Sequence, residues 1–283
     1  MGGWPKDEWS QMKSLGTAIL CLLAMAAAAD RRGAFDDAYF AQAPAGDWTP
    51  KSVAGLALWL DASQLTQYGN EEEVEQWYDY SGNNNTVLNA YYGYPSGIFY
   101  VSSAQGGKPS IRFDNYGFFN ITDSESLTIS NCISVFIVSQ VSEYVDYNTS
   151  PVLAKYIAAP SRGYVIYFHN VWSLDPQYYV WPLAAGHVHW PSWAENTWYY
   201  TTLVTTPSGD YTRLNGVLEE SATHVDMTNA PAGEFYVGTF PTDPDNSIHQ
   251  FWGYISEILV YNNGVSTSDR DKIEGYLKNK YGL

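Results

Sequence analysis

The closing segment of the chain, Phe251 to Leu283, constrains the fold more than any other stretch. Its first part, Phe251 to Tyr261, is aromatic, β-branched or aliphatic on both alternating faces, apart from Ser256 and Glu257. A strand of this composition suits a position that is buried on both sides. We therefore predict a central strand covered on both faces.

A short helix is predicted directly after this strand. Asn262-Asn263-Gly264 has the composition of a turn, and Ser266 with Asp269 forms an S-x-x-D capping box that starts a helix. Gly282 is a suitable C-cap. Lys278 and Lys280 lie in its last turn, where positive charge favours the helix dipole. The apolar residues of this helix form one stripe: Ile273, Tyr276, Leu277 and Tyr281.

The body of the chain reads as many short strands with almost no helix. Asn215-Gly216 lies between two strand-like segments and favours a two-residue hairpin turn. No parallel βαβ pattern is present. These features predict an all-β, antiparallel sandwich.

Several separated stretches also resemble motifs of one known family. They are Val53–Ser63, Val74–Asn85, Lys108–Phe119, Arg213–Glu220 and the closing Gly253–Leu283. The resemblance is to concanavalin A-like jelly rolls of the laminin-G-like kind, found in bacterial surface proteins and phage virion proteins. It implies a jelly-roll sandwich over residues 47–283, while function within this family varies.

The N-terminal part, residues 1–46, differs in composition from the rest. Leu15 to Ala29 is an apolar run too short for the ~20 residues of a membrane span. We expect an apolar helix and extended arm that anchor the protein to a partner, with a cleaved signal peptide ending at Ala27–Ala29 as the alternative. The expected anchor residues are Leu15, Ile19, Leu22 and Leu23.

Charge and cysteine content exclude some functions. The net charge of −16 argues against a nucleic-acid partner, which would need clusters of Lys and Arg. Cys21 and Cys132 are the two cysteines, and neither has a metal-ligand or nucleophile context in the sequence. The paired-carboxylate pattern E-x-D-x-x-E of glucanases with this fold is absent, so we expect no enzyme activity.

The loops after the first strand carry hard oxygen ligands. Asp61, Asp79 and Asn83 are candidates for a calcium site, because Ca²⁺ binds carboxylate and amide oxygens. The resemblance favours Asp79 and the turn beside it. Asx-turn capping of the local backbone is the alternative.

Aromatic residues are concentrated between Tyr164 and Tyr200, where three prolines indicate loops. Rings on loops can bind a sugar or another protein, whereas rings at alternating strand positions fill a core. The ligand-binding candidates are Trp172, Trp181, Trp190 and Trp193.

Two functions follow as hypotheses. The first is a non-enzymatic structural protein of a phage virion, serving in capsid decoration, a fibre or tail attachment. Its N-terminal segment would contact other virion proteins, and its jelly roll would meet a cell-surface glycan, with the protein as a homo-oligomer. The second is a secreted bacterial carbohydrate-binding protein whose signal peptide is removed.

Overall fold

A computed structural model describes most of the predicted sandwich. The described residues are 48–90, 97–114, 117–142, 150–157, 162–168, 177–180, 188–225, 233–239 and 250–283. They belong to one compact unit, Trp48–Leu283. The predicted N-terminal helix and arm, the anchor residues and the boundary between residues 46 and 47 lie outside the described residues. Within the described part, no helix is both long enough and apolar enough to traverse a bilayer.

The described strands form two antiparallel sheets, which confirms the predicted sandwich; they are numbered β1 to β17 along the chain. The order in the first sheet is β15 (Val217–Ala222), β14 (Gly209–Leu214), β13 (Tyr199–Thr206), β8 (Ser134–Val141), β17 (Gly253–Tyr261), β6 (Ser110–Phe113), β5 (Ile98–Val101) and β2 (Glu72–Glu73), and β1 (Leu56–Asp61) also pairs with β17. The order in the second sheet is β12 (Val188–His189), β11 (Gln177–Val180), β10 (Arg162–Phe168), β9 (Ser150–Ile157), β16 (Phe235–Val237), β7 (Phe119–Ile121), β4 (Val87–Asn89) and β3 (Gln76–Trp77). Buried side chains from both sheets form a common core between them.

Strand β17 is the central strand that the sequence predicts. One edge of it pairs with β8 along its length, and the other edge is shared by β6 and β1. Every residue of β17 except Tyr254 is buried. Its apolar composition on both faces therefore reflects the inter-sheet core on one side and a helix on the other.

The helix is α1 (Thr267–Tyr281), and its ends match the predicted capping residues. Ser266 accepts a hydrogen bond from the backbone N–H of Asp269 at 3.1 Å, and Gly282 adopts a left-handed conformation at the C-cap. Ile273, Leu277 and Tyr281 are fully buried against the outer face of the first sheet. The helix thus covers the central part of the outer face of the first sheet.

A cluster of buried charges joins this helix to the sheet beneath it. Lys280 Nζ lies 2.7 Å from Asp61 Oδ2 and 2.8 Å from Glu257 Oε2, and both carboxylates are fully buried. Tyr276 and Tyr281 donate hydrogen bonds to Glu257, each at 2.9 Å. Burial and the nearby charge of Asp61 raise the pKa of Glu257 to about 7, although Lys280 opposes this shift.

The start of β17 requires a glycine. Gly253 has φ +148°, and a Cβ at this position would lie 2.1 Å from the backbone oxygen of Gln140. Gly82 also has a positive φ, +103°, but a Cβ there would meet no atom within 4 Å. A comparison of alanine substitutions at Gly253 and Gly82 therefore distinguishes the cost of the backbone conformation from the cost of steric overlap.

We expect Gly253→Ala to lower the free energy of unfolding by at least ~2 kcal/mol, because backbone strain and overlap with the neighbouring strand add together. Gly82→Ala should cost about 1 kcal/mol, since only the backbone conformation is affected. Urea denaturation of both variants provides the measurement. Equal losses would contradict the close approach of β17 to β8 at Gly253.

Candidate ligand-binding face

The side of the second sheet that points away from the core carries a row of cross-strand neighbours. Gln76 pairs with Leu88, and Leu88 pairs with Asn120. Asn120 in turn pairs with Tyr236. Directly paired residues of antiparallel strands point to the same face, and the adjacent Trp77 points into the core. We call this surface the open face; its residues are Gln76, Tyr78, Leu88, Asn120, Glu234 and Tyr236.

The open face exposes apolar and aromatic surface. Tyr78 is 36% exposed and Leu88 is 52% exposed. Among the described residues only two other large hydrophobic side chains are as exposed, Val217 and Leu218, and these lie in the β14–β15 hairpin. Half of this exposed apolar set therefore lies on the open face.

Polar groups lie next to this apolar surface. Gln76 Nε2 donates a hydrogen bond to Tyr78 Oη at 2.7 Å, which places both side chains on the same side of β3. Tyr236 donates its hydroxyl hydrogen bond to Glu234. Tyr236 also packs against Phe118, with ring centroids 6.0 Å apart, and it is buried, so it borders the exposed part of the face.

The chemistry of the open face suits a ligand with both apolar and hydroxyl-bearing surfaces. An exposed aromatic ring offers a flat apolar surface with a polar edge. Side-chain amides both donate and accept hydrogen bonds, and a carboxylate accepts them. A few polar groups around an apolar surface are the usual composition of a small-molecule site.

Trp190 and Trp193, two of the predicted ligand-binding tryptophans, lie in the described part of the chain. Trp190 is only 1% exposed, and its Nε1–H donates to the backbone oxygen of Arg213 at 3.1 Å. Its ring belongs to the core and offers no open face to a ligand. Trp193 is partly buried and packs at the edge of this core. Trp172 and Trp181 lie outside the described residues.

Asp79, the main predicted calcium ligand, organises the loop after β3. Its carboxylate accepts hydrogen bonds from the backbone N–H groups of Trp59, Ser81 and Asn85, at 3.0, 2.8 and 2.9 Å. The hydroxyl of Ser81 donates a further bond at 2.7 Å. These contacts follow the pattern of an Asx turn that also caps a neighbouring strand.

The other two predicted calcium ligands have different partners. Asp61 faces helix α1 and pairs with Lys280. Asn83 donates its amide hydrogens to the backbone oxygens of Leu56 and Ala57, at 2.9 and 3.1 Å. In the described part of the chain, no group of three or more His, Cys, Asp or Glu side chains has a metal-binding arrangement. Calcium binding by Asp61, Asp79 and Asn83 stays a prediction.

A buried lysine stabilises a loop that was not singled out in the sequence. Lys155 is fully buried on β9, and its Nζ lies 2.8 Å from Asp123 Oδ1. The hydrogen bond from Lys155 lowers the pKa of Asp123 below its usual range. The pair fixes the chain between β7 and β8, and Ser124 of the same loop donates a hydrogen bond to Asn85 at 2.6 Å.

Sequence reasoning did not find the open face. Its residues lie in or beside β3, β4, β7 and β16, which are spread over residues 76–237, and β3 has only two residues, so the local alternation is weak. The local sequence signal for this face is the alternation at Gln76, Trp77 and Tyr78, in which the middle residue points to the core and the outer two point away from it. Register between strands is needed to bring these residues together.

Comparison with known proteins identifies related folds. No protein-family model matches the sequence, and the curated proteins give no match. Trypanosoma rangeli sialidase in complex with the inhibitor DANA is similar, with a TM-score of 0.54 and 14% identity over 89% of this chain. This chain spans only 38% of that sialidase chain.

A second related structure is closer in size. Domain 4 of AbnA, a GH43 extracellular arabinanase from Geobacillus stearothermophilus, was solved in complex with arabinotriose. It has a TM-score of 0.51 and 17% identity, covering 79% of this chain and 99% of that domain. Both similarities establish a shared β-sandwich fold.

Proposed function

We propose that this protein binds a neutral glycan on the open face. The observation that carries the proposal is the exposed pair Tyr78 and Leu88, with the amides of Gln76 and Asn120 beside them. The tyrosine ring would pack against the apolar face of a sugar ring. The amides would exchange hydrogen bonds with its hydroxyl groups.

The choice of a neutral glycan follows from charge. The six described residues that define the open face include the carboxylate of Glu234 and no Lys or Arg, and the whole chain has a net charge of −16. An acidic sugar would meet repulsion and no bidentate cationic partner. The arabinotriose complex of the structurally related arabinanase domain supports a neutral sugar as the first ligand to test.

We expect Tyr78→Ala to weaken binding to a neutral oligosaccharide by at least ~10-fold, because the substitution removes the exposed stacking ring. Wild type and variant would first be compared on an array of neutral and sialylated glycans, with arabinotriose included. Titration calorimetry on the best ligand would then give the change in affinity.

Val217→Ala is the matched control. Val217 is 64% exposed and lies in the first sheet, so its loss should leave glycan affinity unchanged. Absence of any neutral ligand for the wild-type protein would refute the proposal. An equal loss of affinity in both variants would assign binding to another surface.

The virion role remains a separate prediction. It depends on anchoring by Leu15, Ile19, Leu22 and Leu23, which lie outside the described residues. Contacts with virion proteins and assembly into a homo-oligomer belong to this virion prediction. A glycan-binding face would serve either a particle protein or a secreted protein.

A further inference from the structure

Three residues that are distant in the sequence converge at one end of the first sheet. Cys132 precedes β8, Asp210 lies in β14, and His224 follows β15. Thr205 of the intervening β13 fixes the start of β8, because its hydroxyl accepts a hydrogen bond from the N–H of Ile133 at 2.7 Å. In the sequence Cys132 has no nucleophile context, whereas in the structure a histidine lies beside it.

The side chain of His224 lies between those of Cys132 and Asp210. His224 Nε2 lies 3.8 Å from Cys132 Sγ, and His224 Nδ1 lies 2.6 Å from Asp210 Oδ1. A nucleophile, a base and a carboxylate that orients the base form the arrangement that activates nucleophiles in enzymes on unrelated folds. The Asp210 carboxylate also accepts hydrogen bonds from the backbone N–H groups of Thr206 and Val225, at 3.2 and 3.5 Å, which fixes its position.

An open surface cavity of about 830 Å³ borders this cluster. Asp210 and His224 contribute to its lining, and the other lining residues come from segments 206–211 and 221–224. Cys132 is 6% exposed and is not among the residues that line the cavity, and the His224 side chain is 8% exposed. A small acyl group would need the least room beside the sulfur, while the cavity can hold the rest of a molecule.

We propose that Cys132 is the nucleophile of an acyl-transfer site for small carboxylic esters, with His224 as the base and Asp210 as its positioning residue. His224 Nε2 takes the thiol proton, although Asn131 Oδ1, 3.6 Å from the sulfur, is a competing acceptor. The thiolate attacks the ester carbonyl carbon, a C–S bond forms and the C–O bond to the alcohol breaks. The alcohol leaves with the proton from His224.

Water completes the cycle. His224 takes a proton from water as the oxygen of that water attacks the thioester carbonyl, the C–S bond then breaks, and His224 returns the proton to the leaving sulfur. The products are a carboxylic acid and the restored thiol. The reaction needs no reactant beyond the ester and water, and it uses no residue of the open face.

The test uses the full chain with Cys21→Ser, so that Cys132 is the remaining thiol. With p-nitrophenyl acetate, we expect a burst of about one nitrophenolate per protein and an acetyl group on Cys132 by peptide mass spectrometry. His224→Gln should slow the burst at least ~10-fold, and Cys132→Ala should abolish it. Iodoacetamide should alkylate Cys132 at pH 6 at least ~10-fold faster in the parent than in His224→Gln.

Asp210→Asn provides a second, shape-conserving variant if His224→Gln disturbs folding, which circular dichroism would reveal. We expect a slower burst with an altered pH profile, because the imidazole would lose its orienting carboxylate. If Cys132 of the folded parent carries no acetyl group after the reaction, the proposal is overturned. Alkylation rates that are the same in the parent and in a folded His224 or Asp210 variant would also overturn it.

Discussion

Replacing Lys280 by methionine should destabilise the protein by about 3–5 kcal/mol, because it leaves two buried carboxylates without their shared cation. The ammonium lies within 2.8 Å of both Asp61 and Glu257, and each carboxylate is fully buried. Methionine keeps an unbranched apolar stem and lacks only the terminal ammonium, so the loss reports the charge and its hydrogen bonds. Urea denaturation at pH 8 measures this loss.

Lys272 is a matched control in the same helix. Its side chain is 48% exposed and pairs with Asp269 at 3.1 Å on the surface. Lys272→Met should cost less than ~1 kcal/mol, since exposed pairs are screened by water. A similar small loss for Lys280→Met would show that the buried cluster contributes little to stability.

Neutralising Asp61 and Glu257 should restore part of the stability that Lys280→Met loses. In the triple variant Lys280→Met, Asp61→Asn, Glu257→Gln, no unpaired charge remains beneath the helix. We expect it to be more stable than Lys280→Met alone, because the main penalty is an uncompensated buried charge. If both variants are equally unstable, uncompensated charge on Asp61 and Glu257 is not the cause of the loss.

Those parts of the fold that depend on neighbouring residues could be predicted from the sequence. The closing strand, the Ser266 cap, the Gly282 C-cap and the hairpin at Asn215-Gly216 all match the structure. Each is determined by alternation, capping or turn chemistry over a few residues. The sandwich follows from many such segments and their spacing.

The buried clusters and the candidate sites depend on contacts between distant parts of the chain. Glu257 is an isolated acid in the sequence, yet cross-strand register places it opposite Asp61. Cys132 has no informative neighbours, yet His224 lies beside it 92 residues later. Trp190 has the sequence context of a loop residue, but folding places it in the core. Local patterns do not specify such pairs, because strand order and register determine them.

The buried cluster should also make stability depend on pH in an unusual direction. The pKa of Glu257 is raised from 4.5 to about 7 in the folded protein, chiefly by burial and then by the charge of Asp61. The folded state therefore binds a proton more tightly than the unfolded state between these values. This contribution is fully present below pH 4.5 and is lost as the pH rises through about 7.

We expect the free energy of unfolding to gain about 2–3 kcal/mol from Glu257 as the pH falls from 8 to 5. Glu257→Gln cannot take up this proton, so its stability should change less over the same range. Urea denaturation at several pH values gives the difference between the two curves. Asp123 and Asp269 have lowered pKa values and lose their contributions only at more acidic pH.

Asp61→Asn distinguishes the two causes of the raised pKa. The substitution removes the neighbouring negative charge but leaves Glu257 buried and still beside Lys280. The Glu257-dependent change in stability should therefore move to lower pH and become smaller, because burial alone then opposes the attraction of Lys280. If Asp61→Asn leaves the pH dependence unchanged, the charge of Asp61 does not act on Glu257. If Glu257→Gln has the same pH dependence as the wild-type protein, Glu257 does not titrate in this range.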